Sequence, residues 1–306
     1  MRVPLALMAT ATALAVTLTG CSAPAPEPQA TAGASSDLIE VRGDFGDAPK
    51  VDFPTPVSPG TTQCTTVIEG DGEHLVDGQQ ALVGLAVYNG TTGDEIQVVG
   101  FGEEDPVPVL LGSNTLPGLS KGLSCTSEGS RVVVVVPPED GFGEEGNEDL
   151  GISGDDSLVV VFDVHRSFLT RANGTPQLTR DGFPAVVLAP DGRPGITVPD
   201  SDPFESTEVE LLKKGQGEEV ESGDQVLVHY TGVNWAEGTV LEGGSTWEQG
   251  GPTAIVVGDD AVAQGSPPFA GSLEGVTVGS QVGIALPADE AGNPAAFYVV
   301  DVLGVV

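Results

Sequence analysis

Apolar and polar residues alternate along many short stretches of this chain. In "QVLVHYTGV" (225–233), Val226, Val228 and Tyr230 fall on one face of a strand, and the residues between them fall on the other. No long segment repeats its apolar residues every 3.6 positions. Two brief stretches rich in small and apolar residues, 117–124 and 268–273, are each long enough for one short helix. The pattern predicts an α+β fold built mainly from short strands.

The apolar pattern occurs twice along the chain. "EGDGEHLVDG" (69–78) matches "KGQGEEVESG" (214–223), and "LVGLAVYNGTTGDEI" (82–96) matches "LVHYTGVNWAEGTVL" (227–241). In both pairs the residue numbers differ by 145. A constant offset over successive segments indicates a repeated structural unit, so the two halves are predicted to share one fold.

The offset changes near the end of each copy. "SEGSRVVVVVP" (127–137) matches "TVGSQVGIALP" (277–287) at an offset of 150, and "VVVFDV" (159–164) matches "FYVVDV" (297–302) at 138. The fall in the offset shows that the second copy lacks a segment after its "ALP". We expect two tandem half-barrels, each a curved antiparallel sheet wrapped around one short helix.

The N-terminus carries a targeting signal. "MRVPLALMATATALAVTLTGC" has a basic residue at Arg2, an apolar run over 3–18, and Leu-Thr-Gly before Cys21. This ending resembles the lipobox of bacterial lipoproteins. The resemblance implies that the Cys21 thiol is lipidated and becomes the mature N-terminus, which anchors the protein extracytoplasmically to the cell membrane. A transmembrane anchor is the alternative, although the run is short for spanning a bilayer.

These patterns divide the chain into segments, and ordered structure is expected to begin near Ile39. The predicted segments are a lipoprotein signal peptide (1–20), a flexible Ala/Pro/Ser tether (21–38), a lead-in hairpin (39–60), a first domain (61–168), a linker with its own lead-in hairpin (169–205) and a second domain (206–306).

Two cysteines remain once Cys21 is lipidated. Cys64 and Cys125 form an even pair in an oxidising compartment, which predicts a disulfide between them. Two free buried thiols are the alternative. At the positions equivalent to these cysteines the second copy has no cysteine, so the bridge would be specific to the first copy.

Composition excludes several classes of function. The formal net charge of −34, from 45 acidic and 11 basic residues, repels phosphate backbones and argues against nucleic-acid binding. The three histidines show no zinc-type spacing, and the acidic run 143–156 lacks the residue order of a calcium loop. We expect no metal, no cofactor and a monomer.

Five stretches of the second copy occur in a familiar order: "SGDQVLVHYTGV", "EGTVLEGGSTW", "GPTAIVVG", "LEGVTVGSQVGIALP" and "AFYVVDVL". They resemble the FKBP-type peptidyl-prolyl cis-trans isomerases, whose strand reads Val-x-Val-His-Tyr-Thr-Gly. The resemblance covers 206–306 and, through the repeat, extends more weakly to 61–168. The tandem layout with its lipobox looks like secreted actinobacterial members of the family.

The family implies catalysis of rotation about X-Pro bonds in unfolded or proline-containing secreted polypeptides. Rotation has a barrier of about 18–20 kcal/mol. The twisted amide has a less polar carbonyl, so an apolar pocket favours it over the planar form without a nucleophile or cofactor. One alternative is a non-catalytic extracytoplasmic chaperone or peptide-binding module on the same scaffold. Another is a structural spacer.

The resemblance assigns catalytic roles to Tyr230, Glu242 and Phe269. The implied substrate-binding set is Tyr230, Leu241, Ile255, Val257, Phe269 and Tyr298. Leu241 stands where the family has phenylalanine, and Glu242 stands where it has aspartate. The segment that the second copy lacks would carry the aromatic loop over the pocket mouth, so we expect a shallow site with weak catalysis.

The first copy is expected to be the less active one. Its residual pocket residues are Leu85, Ile96, Leu119 and Phe142. Leu85 stands at the position of Tyr230 and has no hydroxyl, and Gln97 stands at the position of Glu242 and has no acid. "VYNG" superficially mimics "HYTG", but pairing Tyr88 with Tyr230 would break the constant offset. His229, on the opposite face from Tyr230, is expected to be a partly exposed surface residue without a catalytic partner.

Overall fold

The structure is a computed structural model that describes residues 28–112, 115–289 and 292–306. The predicted signal peptide and the predicted lipidation site Cys21 lie outside the described residues. Within the described ranges, no helix has both the length and the apolar character needed to cross a bilayer.

The first domain is a six-stranded antiparallel sheet that follows a small separate hairpin. The hairpin strands are β1 (Glu40–Arg42) and β2 (Lys50–Asp52); the sheet strands are β3 (Gln63–Ile68), β4 (Gln80–Asn89), β5 (Glu95–Val99), β6 (Val107–Leu110), β7 (Arg131–Val136) and β8 (Leu158–Ser167). The strand order is β3-β7-β8-β4-β5, and β6 pairs with β4.

The second domain repeats this arrangement. Its strands are β9 (Thr175–Pro176), the hairpin β10 (Ala185–Leu188) and β11 (Pro194–Thr197), then β12 (Glu208–Lys214), β13 (Gln225–Asn234), β14 (Val240–Ser245), β15 (Thr253–Val256), β16 (Gln281–Leu286) and β17 (Ala296–Val305). The sheet order β12-β16-β17-β13-β14, with β15 on β13, matches the first domain strand for strand. The short β9 adds one strand beside β12. The predicted tandem organisation is confirmed.

The strand register confirms the sequence offsets. Leu85 of β4 lies opposite Phe162 of β8, and Tyr230 of β13 lies opposite Val300 of β17. Leu85 and Tyr230 differ by 145 in residue number, and their strand partners Phe162 and Val300 differ by 138, which are the offsets found in the sequence. Tyr88 belongs instead to an apolar cluster on the other face of its sheet. The structural equivalent of Tyr230 in the first domain is therefore Leu85.

The helices differ between the domains. The first domain has α1 (Pro117–Leu123), as predicted, and proline at its first turn fits the fixed φ of a helix start. A Cβ atom at Gly118 would come within 2.1 Å of Val136, so only glycine allows α1 to pack this closely on β7. In the second domain the predicted stretch forms only a 3₁₀ turn (Ala270–Leu273). A short helix that the sequence analysis missed, α2 (Asp259–Val262), precedes it.

The lead-in hairpins cover the outer faces of the sheets. In the first domain, β1 and β2 pack against a cluster that includes Tyr88 and Phe101. A fully buried ion pair, Arg131 to Asp163 at 2.6 Å, reaches the turn of this hairpin. Arg131 donates to the carbonyl of Gly43 at 2.9 Å, while Asp163 accepts from the amide of Gly46 at 2.6 Å. The pair therefore joins the hairpin to the sheet.

The second hairpin packs by aromatic contacts instead. Phe183 and Phe204, which flank β10 and β11 in sequence, contact Phe297 and Trp235. At the position of the ion pair, Gln281 donates to Asp301 at 2.7 Å, and the amide of Ala172 donates to the same carboxylate at 2.8 Å. Each domain thus buries one aspartate on β8 or β17, with different partners.

Ordered contacts begin earlier than the predicted Ile39. The amide of Gln29 donates to Ser124 at 3.0 Å, and Thr31 forms a bridge with Gln63 beside β3. Ser36 is buried. The second half of the predicted tether therefore packs on the first domain. Short polar side chains that can cap the edge of β3 explain why an apparently linker-like composition is ordered here.

The structure contains the predicted disulfide, between Cys64 on β3 and Cys125 directly after α1. The bridge joins the edge strand of the first domain to its helix.

Candidate active site

A cleft of about 430 Å³ opens on the inner face of the second sheet. Its apolar walls come from β14, α2, the end of β16 and the start of β17: Leu241, Val262, Leu286, Pro287, Ala296 and Tyr298. These elements are distant in sequence and meet because β17 lies between β13 and β16 in the sheet. A mostly apolar concavity with a few polar groups is the usual form of a small ligand site.

Three aromatic rings stand side by side next to this cleft. The ring of Phe269 lies 5.1 Å from that of Tyr230, edge to face, and 5.0 Å from that of Tyr298. Phe269 is fully buried, Tyr298 is 9% exposed and Tyr230 is half-buried. Phe269 therefore holds the two tyrosines in place from behind and does not itself line the cleft.

Both phenols stay protonated at neutral pH. Burial raises the pKa of Tyr230. Burial also raises the pKa of Tyr298, and the nearby Tyr230 raises it further. Tyr298 lines the cleft, so its hydroxyl can donate a hydrogen bond to a carbonyl oxygen in the cleft. Tyr230 lies close to Tyr298 but is not one of the residues that line the cleft.

The structure brings together some of the residues predicted for this site and separates others. Leu241 and Tyr298 line the cleft, and Glu242 lies exposed at its rim. Ile255 and Val257 are buried in the core of the domain. Because these two side chains are covered by the protein itself, they support the site from below.

Sequence reasoning missed part of the cleft wall. Val262 lies on the unpredicted helix α2, and Leu286 and Ala296 lie at the ends of paired strands. The strand alternation that placed Tyr298 on the inner face also places Ala296 there, so this residue was accessible to the same reasoning. Val262 was not, because no periodic pattern marks so short a helix.

The corresponding region of the first domain is filled. The inner-face residue Val136 is 1% exposed, whereas its repeat equivalent Leu286 is half-buried. Leu158 places a larger side chain at the position of Ala296, and both of these residues are buried. The long loop between β7 and β8 supplies Ile152 and Phe142 to the same apolar cluster as Leu85, Ile96 and Leu119. The first domain's predicted residual pocket residues are partly buried and pack against its core.

The long loop of the first domain is fastened at its base. The carboxylate of Asp140 accepts from Lys121 on α1 at 2.6 Å and from Thr62 at 2.5 Å. Burial acts to raise the pKa of Asp140, but these hydrogen bonds outweigh burial and hold it below its usual value. The loop is thus held down on α1 as a folded part of the domain.

His229 is not the partly exposed surface residue that the sequence analysis expected. It is 6% exposed and stacks on Trp247 with ring centroids 3.9 Å apart. Its Nδ1 lies 2.8 Å from the hydroxyl of Thr246. Burial lowers the pKa of His229 to about 4, so the ring is neutral at pH 7. The prediction was wrong because Trp247 folds back over β13 from beyond β14.

Among the described residues, no group of three or more histidine, cysteine or acidic side chains is close enough to hold a metal ion. The groups that the cleft itself presents offer apolar contact and hydrogen bonding.

The chain matches the family model of the FKBP-type peptidyl-prolyl cis-trans isomerases over residues 77–165 and 216–293. These two regions make up more than half of the chain, one in each domain, and the protein belongs to this family in the form of two tandem FKBP-like domains. No curated protein matches the chain.

Several solved structures are similar to the chain. The three FKBP domains of wheat FKBP73 are 20% identical, with 81% of this chain and 95% of that chain covered and a TM-score of 0.35. The N-terminal domain of FKBP42 from Arabidopsis thaliana is 22% identical over 39% of this chain and 95% of that chain, at 0.34. FkpA from Escherichia coli is 24% identical over 35% of this chain and 47% of that chain, at 0.31.

Proposed function

We propose that the second domain is a peptidyl-prolyl cis-trans isomerase and that the first domain is a non-catalytic support. The observation that carries the proposal is the apolar cleft beside Tyr230 and Tyr298 in a domain of the FKBP family. In the first domain, Leu85 and Val160 stand at the positions of these tyrosines, and Ile152 packs into the same core. The second domain therefore combines family membership with an open cleft.

The proposed mechanism is preferential binding of the twisted X-Pro amide. Rotation breaks the amide resonance, and the carbonyl becomes less polar than in the planar form. Leu241, Val262 and Tyr298 surround the bond with apolar surface, which favours the twisted form relative to water. A tyrosine hydroxyl holds a peptide carbonyl beside the bond during rotation, so that one side of the bond stays fixed while the other turns.

The cleft is expected to give a modest rate enhancement. The segment between β16 and β17 (287–295) is much shorter than its counterpart in the first domain (137–157), so less protein covers the mouth of the cleft. Water reaches the bound amide more easily and offsets part of the apolar stabilisation.

The proposed setting is the outer face of the cell membrane. The leader before Cys21 supports lipid anchoring, and the disulfide between Cys64 and Cys125 suits an oxidising compartment. Newly secreted polypeptides that wait on slow proline isomerisation are the proposed substrates, since uncatalysed exchange takes tens to hundreds of seconds.

Exchange NMR on a short Leu-Pro peptide tests the activity. The full chain is expected to accelerate cis-trans exchange, and Leu241→Asp is expected to abolish the acceleration by placing a charge in the cleft. Val240→Asp is the matched control, because Val240 precedes Leu241 on β14 but is 45% exposed and lies outside the cleft. It should retain full activity.

Two other results would refute the proposal. Binding without faster exchange would assign the cleft to a peptide-binding chaperone module. Faster exchange that survives Leu241→Asp unchanged would place the activity elsewhere in the chain.

A further inference from the structure

Among the described residues, the two charged side chains that line the cleft are both acidic. Glu242 stands at one rim, and Asp289 stands at the other, in the segment between β16 and β17. The backbone amide and side-chain amide of Asn293 donate to the Asp289 carboxylate at 2.9 and 2.7 Å, which fixes its position. The helix α2, which supplies Val262 to the wall, also carries Asp259 and Asp260.

Basic side chains are scarce around these charges. After Lys214 the sequence contains acidic residues throughout and no lysine or arginine. Lys213 lies opposite Gln281, at the start of β16, whereas the cleft lies at the other end of that strand. The strand is about 17 Å long at about 3.3 Å per residue. That length exceeds the screening distance of about 8 Å at physiological salt.

Arg180 is the basic residue that reaches the cleft end of β12, and its guanidinium is already paired with acidic side chains. It lies over Phe183 and Phe204, in the aromatic cluster on the opposite face of the sheet from the cleft. Its guanidinium pairs with Glu208 at 2.7 Å and Glu210 at 3.1 Å.

Arg193 lies near Val240 on β14, outside the cleft, and pairs with Glu248 at 3.9 Å. The charged groups that line the cleft itself are therefore carboxylates.

From this geometry we infer that the cleft selects cationic proline segments, in which lysine or arginine lies within one or two residues of the X-Pro bond. The inference rests on the proposed function and specifies its substrate class. The apolar wall takes the leucine-proline unit, and flanking ammonium groups reach Glu242 and Asp289 in a mouth where the field is uniformly negative. Acidic segments are repelled by the same charges.

Three peptides that share an Ala-Leu-Pro-Phe core, flanked on both sides by lysine, serine or glutamate, test the inference. Affinity by calorimetry and exchange rate by NMR are measured for each peptide with the full chain. At low salt, the lysine peptide is expected to bind about fivefold more tightly than the serine peptide, and the glutamate peptide about fivefold more weakly. At about 0.5 M salt the three affinities should agree within about twofold.

Variants locate the effect at the rim. Glu242→Gln should reduce the lysine-to-glutamate ratio by about threefold, and Glu242→Lys should reduce it by about tenfold. Glu103→Gln is the control: it removes one charge from an exposed loop of the first domain and should leave the ratio unchanged.

The outcomes separate this inference from the proposed function. Accelerated exchange of the serine peptide, together with equal affinities or a preference for glutamate, would overturn the inference and leave the isomerase proposal intact. If no peptide exchanges faster, the isomerase proposal fails, and the affinity ratios alone then support or overturn the charge preference.

Discussion

The two domains share one sheet order and one register but use the inner face differently. In the first domain, the long connection between β7 and β8 (137–157) folds into three 3₁₀ turns and sends Ile152 into the core. In the second domain, the short connection 287–295 joins β16 to β17, and the inner face opens into a cleft at this place. The length of one connection thus separates a filled domain from an open one.

The comparison also shows where each domain obtains its stability. The first domain holds its parts together with covalent and ionic contacts: the disulfide, the buried pair of Arg131 with Asp163, and the N-terminal segment along β3. The second domain uses aromatic packing around Phe183, Phe297 and Trp235. The two domains therefore fasten their hairpins and edges by different kinds of contact.

Breaking the buried ion pair should produce the largest effect. Arg131→Met leaves the Asp163 carboxylate buried without its cation, which costs about 3–5 kcal/mol of unfolding free energy. Gln281→Met is the matched change in the second domain and should cost only about 1–3 kcal/mol, because Asp301 keeps the amide of Ala172.

Urea unfolding followed by circular dichroism measures both costs. Tryptophan fluorescence reports mainly on the second domain, since both tryptophans of the chain, Trp235 and Trp247, belong to it. A fluorescence transition that shifts more in Arg131→Met than in Gln281→Met would contradict the separate roles assigned to the two domains.

Removing the disulfide should have the next largest effect. The bridge closes a loop with a sequence separation of 61 residues. Replacing both cysteines with serine is expected to lower the unfolding free energy of the first domain by about 4 kcal/mol through the gain in unfolded-chain entropy. Peptide exchange by the second domain should change less than twofold in this variant. Loss of peptide exchange in the variant would show that the cleft depends on the first domain.

Acidification should destabilise the second domain through His229. Its pKa is about 4 when folded, against 6.5 when unfolded. Above pH 6.5 the group is neutral in both states; as the pH falls from 6.5 to 4 only the unfolded chain takes up the proton. Acidification therefore removes the contribution of His229 to the unfolding free energy. The loss reaches about 3 kcal/mol at about pH 4.

A comparison of variants isolates this histidine from the titrating carboxylates. His229→Gln should flatten the difference in stability between pH 7 and pH 4, whereas His74→Gln, on an exposed loop of the first domain, should follow the wild-type curve. Trp247 fluorescence gives the readout, because the ring stacks on His229. Equal pH dependence in wild type and His229→Gln would refute the assignment.

Removing a phenol hydroxyl should have the smallest of the four effects. Tyr298→Phe and Tyr230→Phe are each expected to lower kcat/KM for peptide exchange about threefold, and the double variant about tenfold, which corresponds to about 1.4 kcal/mol. The rings and the packing around Phe269 stay, so the stability should change little. Unchanged exchange in the double variant would show that apolar contact alone carries the catalysis.

Sequence reasoning predicted the parts of the fold that depend on local pattern. The constant offset between the two copies fixed which strands correspond, and the register bears this out at Leu85 and Tyr230. The disulfide was predicted because two cysteines remain after Cys21 and because the leader implies an oxidising compartment. These features need only alternation, repetition and the chemistry of single residues.

The features that it missed depend on distant contacts. His229 was expected at the surface, and only the return of Trp247 over the ring buries it. Val262 and Leu286 become cleft residues through the meeting of α2 with the strand ends. Phe269, to which the resemblance assigned a catalytic and substrate-binding role, is fully buried beside the rings of Tyr230 and Tyr298.

Mapping where a proline peptide binds tests the central claim most directly. In an amide NMR titration of the full chain with the lysine-flanked Ala-Leu-Pro-Phe peptide, shifts are predicted at Tyr230, Leu241, Val262 and Tyr298. The repeat equivalents in the first domain, Leu85, Ile96 and Val160, should not move. Shifts confined to the first domain, or spread equally over both, would contradict the account.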